Sequence, residues 1–149
     1  MTYIGIDPGQ KGAMAVIDGE GRLQLLIPFD EQQYIFALKA LVDNTGGALV
    51  CCIEDVHSLP REGVTSAHRF GRSVGWLHGV LDALGVPYQP VTPLKWKKEF
   101  SLNADKGASI QAFHRLFPGE SLKRTEKSRK DDDNMAEAGL LAMYAKRHW

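Results

Sequence analysis

The run Thr2-Tyr3-Ile4-Gly5-Ile6 ends on Asp7 and turns at once through Pro8-Gly9. Five residues rich in β-formers read as a buried strand, and Asp-Pro-Gly reads as a tight turn. A second apolar run, Gly12 to Ile17, follows closely. The two runs therefore predict a hairpin at the centre of a sheet. A carboxylate at the inner end of a core strand is costly as an anion unless a cation meets it. An Asp that opens a turn by bonding the backbone two residues on accounts for the same pattern. The remainder of the chain has to decide between these.

Residues 2–7, about 12–18 and about 22–28 predict three successive strands, and their short connections make an antiparallel meander. Asp30 is placed to cap a helix from Glu31 to about Val42, whose Tyr34, Leu38, Leu41 and Val42 share one face. Asn44 to Gly47 stops it. Ala48 to Ile53 is apolar throughout, so it predicts a strand buried on both faces, and it ends on Glu54. The helix before it makes this a crossover, which places the strand parallel to the first.

A polar loop at 60–64 leads into a helix over about 65–84, with Phe70, Val74, Leu77, Leu81 and Leu84 on one side. Gly71, Gly75 and Gly79 recur every four residues and form a stripe without side chains. Close approach by another backbone would offset their helix cost, and the sheet is the expected neighbour in preference to a second subunit. Val86 to Val91 predicts a fifth strand, and Thr92-Pro93 opens a short helix through Lys98. Another helix begins at Asn103 or Asp105 and carries Ile110, Phe113, Leu116 and Phe117 inward until Pro118-Gly119. Residues 120–130 are highly charged and predict a mobile loop. A last helix from about Asp131 to Arg147 buries Met135, Ala138, Leu141, Ala142 and Ala145.

The whole pattern is that of an α/β chain: a five-stranded mixed sheet, three strands antiparallel and then two parallel, flanked by helices. With 149 residues it predicts a single domain over 1–149 with one core. No apolar run approaches the roughly 18 residues that cross a bilayer, and no basic region followed by an apolar segment opens the chain. An intracellular protein without a membrane partner is the expectation. Cys51 and Cys52 are adjacent inside an apolar strand, so they read as core packing in a reducing compartment.

Eighteen Lys and Arg balance eighteen Asp and Glu, yet the charges are unevenly placed. From Lys95 to Lys130 ten Lys or Arg stand against four acids, a local excess of six. Such a stretch suits either a solvated face or a polyanionic partner.

Acids sit at three comparable places: Asp7 after the first strand, Glu54 after the fourth, and Asp131-Asp132-Asp133 with Glu137 at the start of the last helix. If the first and fourth strands are parallel neighbours, Asp7 and Glu54 emerge at the same sheet edge. Asp133 and Glu137 are four residues apart and present both carboxylates on one helix face, whereas Asp132 lies to the side. Acids in a first helical turn also favour the dipole, which accounts for Asp131 and bears on Asp132. A cluster of carboxylates without His or Cys suits Mg²⁺ or Mn²⁺, and two such ions about 4 Å apart serve phosphodiester cleavage.

These residues carry a family likeness. Ile4-Gly5-Ile6-Asp7-Pro8-Gly9 resembles the opening motif of the RuvC-type Holliday junction resolvases, which belong to the RNase H-like superfamily. Ile53-Glu54-Asp55-Val56, followed by Ser66 and Phe70-Gly71-Arg72-Ser73-Val74-Gly75, resembles that family's second acidic motif and the helix after it. Lys95 and Lys106 match two lysines of its DNA-binding and catalytic region at the same separation. Asp133-Asn134-Met135-Ala136-Glu137-Ala138 is similar to a motif of phage-encoded relatives, which adds a phage origin to the expectations. The likeness spans almost the whole chain. It departs at two points: the bacterial enzymes space their last two acids by three residues, so Asp132 and Asp133 both stand for the third ligand, and His57 replaces an aromatic that wedges into the junction.

The resemblance implies an RNase H-like fold and a Mg²⁺-dependent endodeoxyribonuclease that resolves four-way junctions by paired symmetric nicks. It implies two metal ions per site, with Mn²⁺ able to substitute, and a homodimer on branched DNA. Asp7, Glu54, Asp133 and Glu137 would be catalytic and hold the metal, with Lys106 catalytic beside them. Lys95, Lys97, Lys98, His57 and Arg72 would contact DNA. Three alternatives remain: a nuclease for other branched DNA or RNA-DNA hybrids, a non-catalytic junction-binding module, and a nucleotide-binding domain of the actin and sugar-kinase type. The last needs two domains to enclose its nucleotide, for which this length does not suffice.

Overall fold

A computed structural model of the protein describes residues 1–57, 62–103 and 105–149, with Lys106 described in its backbone only. The chain runs β1 (Thr2–Asp7), β2 (Ala13–Ile17), β3 (Leu23–Pro28), α1 (Glu31–Thr45), β4 (Leu49–Glu54), α2 (Val64–Ala83), β5 (Tyr88–Val91), α3 (Pro93–Glu99), α4 (Lys106–Leu116) and α5 (Asp133–His148). The order across the sheet is β3-β2-β1-β4-β5. β1 pairs antiparallel with β2 and parallel with β4, and β4 pairs parallel with β5. This is the mixed sheet expected from the sequence, with the crossover through α1 placing β4 beside β1.

Alternation along the strands divides the core in two. Ile4, Ile6, Met14, Val16, Cys51 and Ile53 face one side with Tyr34 and Leu38 of α1 and Leu77 and Leu81 of α2. Tyr3, Ala13, Ala15, Ile17 and Cys52 face the other, where Trp96 of α3, Phe113 of α4 and most of α5 cover them. Both cysteines are buried and unbridged, as packing residues would be. Among the described residues no helix is long and apolar enough to cross a membrane.

Helix and sheet backbones meet closely at a position other than the glycine stripe. A Cβ added at Gly5 of β1 would lie 2.1 Å from Ala142 N and 2.2 Å from Ala138 O. α5 thus lies directly on β1 through Ala and Gly, which is why Ala138 and Ala142 are small. By contrast, Cβ atoms at Gly71, Gly75 and Gly79 would meet nothing within 4 Å. The expectation that this stripe packs on the sheet is therefore corrected. α2 buries Ser73, Leu77 and Leu81 against the core and turns its glycines outward.

Two further expectations change. Residues 120–130 are not a free loop: Leu122 is fully buried, its carbonyl accepts from Asp132 N at 2.9 Å, and Lys123 and Arg124 are engaged in ion pairs. One apolar anchor among many charges outweighs the composition. The last helix begins at Asp133, two residues later than expected, because the Asp132 carboxylate caps it by accepting from Met135 N. The loop read at 60–64 falls partly outside the described residues.

Candidate active site

Register explains how acids far apart in sequence meet. Parallel pairing sets Gly5 opposite Cys52 and Ile6 opposite Ile53, so Asp7 and Glu54 are the next pair at the carboxyl ends of their strands. Asp7 follows Gly5 by two and Glu54 follows Cys52 by two, so both point to the face that α5 covers. With Ala138 and Ala142 fixed over Gly5, the first turns of α5 project over that edge. Glu137, one residue before Ala138, is carried to the same spot.

One carboxylate oxygen from each of Asp7, Glu54 and Glu137 lies within 4.8 Å of the other two. Asp7 and Glu54 are buried, at 7% exposure each. Asp133 sits one turn before Glu137, and its charge is felt at Asp7. Asp132 is turned away into its cap and an ion pair with Arg124 at 2.8 Å, which also holds its carboxyl below the usual range against the cost of burial. Of the two residues that the sequence left open, Asp133 is thus the one whose charge acts on Asp7.

Neighbouring groups hold the acids in place. The Trp96 indole N–H donates to Glu54 Oε1 at 3.0 Å. Ser109 Oγ donates to Glu137 Oε1 at 3.2 Å, and Lys97 Nζ lies 3.0 Å from the same oxygen. Lys97, expected on the DNA side, is therefore paired with Glu137 of the cluster. Burial disfavours its ammonium, but the bond to Glu137 and the charges of Glu137, Glu54 and Asp7 raise its pKa overall.

The same crowding raises the acids. Burial, followed by repulsion from Glu54 and Glu137, pushes Asp7 well above the ordinary carboxylate range, with Lys97 acting in the opposite sense. Glu54 is raised by burial and by Glu137, partly offset by Trp96, Lys97 and a hydrogen bond with Asp7. Without a bound ion, both groups therefore keep their protons to higher pH in the native protein than in an unfolded chain. Stability from these protons is complete below the unfolded values near 4 and is lost as pH rises through the raised folded values. In chelator, Asp7→Asn is expected to melt at or near the wild-type temperature at about pH 4. Its advantage should widen to several degrees by about pH 8, and a constant difference across that range would contradict the assignment.

The other expected residues are more dispersed. Lys95 and Lys98 are exposed on α3. Arg72 lines a cleft of about 390 Å³ with Gln10, Glu31, Arg69 and Ser73, on the α2 side of the Asp7-Pro8-Gly9 turn. His57 is exposed just past β4, its Nε2 3.7 Å from Asp55 Oδ2. Lys106 opens α4, and its side chain lies outside the described residues.

Trp96 and Ser109 were not singled out from the sequence. A tryptophan inside Lys95-Trp96-Lys97-Lys98 carries a signal of its own, since a buried indole N–H needs an acceptor. Ser109 lies one turn from Phe113 on the inward face of α4, where a small polar residue also needs a partner.

Neither a family model nor a curated protein matches the sequence. Solved structures do match the fold. The chain is similar to RuvC of Thermus thermophilus in complex with a Holliday junction substrate, with a TM-score of 0.63 and 15% identity over 96% of this chain and 90% of that one. It is also similar to a second Thermus thermophilus RuvC structure, with a TM-score of 0.61 and 17% identity over 96% of this chain and 92% of that one. At such identity the likeness speaks for the architecture alone. The protein has the RNase H-like fold of RuvC, with three carboxylates gathered at the carboxyl ends of its two central parallel strands.

Proposed function

We propose that the protein is a structure-selective DNA endonuclease that resolves four-way junctions by metal-dependent phosphodiester hydrolysis, leaving paired symmetric nicks. The observation that carries this reading is the convergence of Asp7, Glu54 and Glu137 from opposite ends of the chain within 4.8 Å. Buried anions held that close need a cation, and Lys97 offsets them only in part. An all-oxygen donor set of this kind fits Mg²⁺, with Mn²⁺ able to substitute.

Asp7, Glu54, Asp133 and Glu137 would together hold two divalent ions. When bound, such ions lower the pKa of a water and offset charge that builds on the phosphate. The protein's own part is positional. Trp96 and Ser109 fix the rotamers of Glu54 and Glu137, so the oxygens are preorganised before substrate arrives. In the reaction a water oxygen bonds to phosphorus and the bond to the 3′ oxygen breaks. Lys106 would neutralise charge at the scissile phosphate. Lys95, Lys97 and Lys98, with Lys127, Arg129 and Lys130, would hold the backbone, and His57 and Arg72 would contact DNA. A homodimer would match the two-fold symmetry of the junction and place one site on each of two opposing strands. The junction held by the similar RuvC structure supports this choice of substrate.

Labelled four-way junction and linear duplex of matching sequence, each with Mg²⁺ and with chelator, test the reading. Paired nicks confined to the junction and absent in chelator are expected. Equal degradation of the linear duplex would replace it with a general RNase H-like nuclease, and tight binding without cleavage would replace it with a non-catalytic module.

A further inference from the structure

We infer that Arg124 is a positioning residue whose guanidinium ties the β1–β2 turn to the start of α5 and so sets the spacing between Asp7 and the Asp133/Glu137 pair. The inference rests on the proposed metal-dependent nuclease reading. It comes from a group of contacts that spans nearly the full length of the chain.

Arg124 Nε donates to Asp132 Oδ2 at 2.8 Å, and its Nη2 reaches Asp132 Oδ1 at 3.3 Å. The same Nη2 donates to the carbonyls of Lys11 and Gly12, the latter at 3.2 Å. One planar fork therefore joins residues 112 and 113 positions away in sequence to a partner eight positions away. Both ends of the tie lead directly to the acids. Asp132 is the cap of α5, its Oδ1 accepting from Met135 N at 2.9 Å, and the next residue is Asp133. Gly12 lies against the backbone of Asp7, since a Cβ there would fall 2.0 Å from Asp7 O. Gly12 is held in turn by its N–H to Gly9 O and by Phe29 N–H to its carbonyl, each at 3.0 Å.

The anchor itself is firm. Leu122, two residues before Arg124, is fully buried, and its carbonyl accepts from Asp132 N at 2.9 Å. α5 is fixed to β1 at Gly5 by backbone contact, but its first turn, which carries the acids, extends beyond that contact. Arg124 adds a tie from this end of α5 to the β1–β2 turn. Its Nε and Nη2 donors bond protein acceptors, which distinguishes it from the exposed Lys127, Arg129 and Lys130 of the same segment. Coupling between a positioning group and ligand oxygens commonly alters ion affinity or rate by about 10- to 100-fold.

The test uses Arg124→Ala, Arg124→Lys and Asp132→Asn in the full chain. Asparagine caps a helix about as well as aspartate, so Asp132→Asn removes the ion pair and keeps α5. Binding of Mn²⁺ alone, followed by electron paramagnetic resonance without DNA, is measured beside kcat and KM for junction cleavage. Arg124→Ala and Asp132→Asn are expected to weaken Mn²⁺ binding by about 10-fold or more and to lower kcat with KM within about twofold. Arg124→Lys should fall between them and wild type. If Arg124→Ala fails to fold, the other two variants carry the test. Unchanged Mn²⁺ affinity and kcat in Asp132→Asn and Arg124→Lys would overturn the inference. So would a loss confined to KM and to its salt dependence, which would mark Arg124 as a phosphate contact. A wild-type protein that binds no Mn²⁺ would bring down the nuclease reading and this inference with it.

Discussion

Asp7→Asn is expected to reduce junction cleavage by about 10³-fold or more while junction binding stays within a few-fold of wild type. Asn fills the same volume, so β1 and its turn are kept, but one of three converging anions is removed. A thousandfold loss corresponds to roughly 4 kcal/mol of transition-state stabilisation, a reasonable share for a group at the centre of a metal cluster. Binding should hold because it rests on the lysines and arginines, and the loss of a negative charge beside a phosphate can only favour it. The same substitution removes a carboxyl that burial, and then repulsion from Glu54 and Glu137, makes costly to ionise, so lost activity should come with a more stable ion-free protein. Gel-shift binding in chelator and single-turnover cleavage in Mg²⁺ measure the two halves separately. A parallel loss of binding and cleavage would contradict the role given to Asp7.

The second large effect belongs to the fold. Gly5→Ala is expected to cost about 3–5 kcal/mol, at the upper end for overpacking a core. The added methyl would meet Ala142 N at 2.1 Å and Ala138 O at 2.2 Å, which are backbone atoms that no rotamer change can move aside. Either α5 lifts from β1 or the strand bends. A lifted α5 carries Glu137 away from Asp7 and Glu54, so ion binding should weaken together with a melting temperature lower by about 10 °C. Calorimetry with and without Mn²⁺ reads both. A variant that melts like wild type would mean that α5 does not lie on β1 as described.

Much of this arrangement could be read from the chain because its strongest signals are local. Apolar strands that end abruptly on Asp7 and Glu54 indicate strand, edge and carboxylate together, and the helix between them fixes the parallel pairing. The four-residue spacing of Asp133 and Glu137 needs only the helical repeat. Groups that act across the fold were harder to see. Trp96, Ser109 and Arg124 owe their roles to partners 42, 28 and more than 110 residues away, and no periodicity reports such pairings. Glycine misled in one place and was silent in another. Three regularly spaced glycines on α2 face open space, whereas the single Gly5, unremarkable in a strand, is where two backbones touch. Composition misled at 120–130, where one buried Leu122 and the pairs made by Lys123 and Arg124 order a segment that its charge would leave free.

The central claim is that oxygens from both ends of the polypeptide form one divalent-ion site, and anomalous diffraction from crystals soaked in Mn²⁺ tests it most directly. The account expects an anomalous peak within coordinating distance, about 2.0–2.3 Å, of carboxylate oxygens from Asp7, Glu54 and Glu137, and loss of that peak in Asp7→Asn. A strong peak held elsewhere, or none at these three residues at millimolar Mn²⁺, would contradict it.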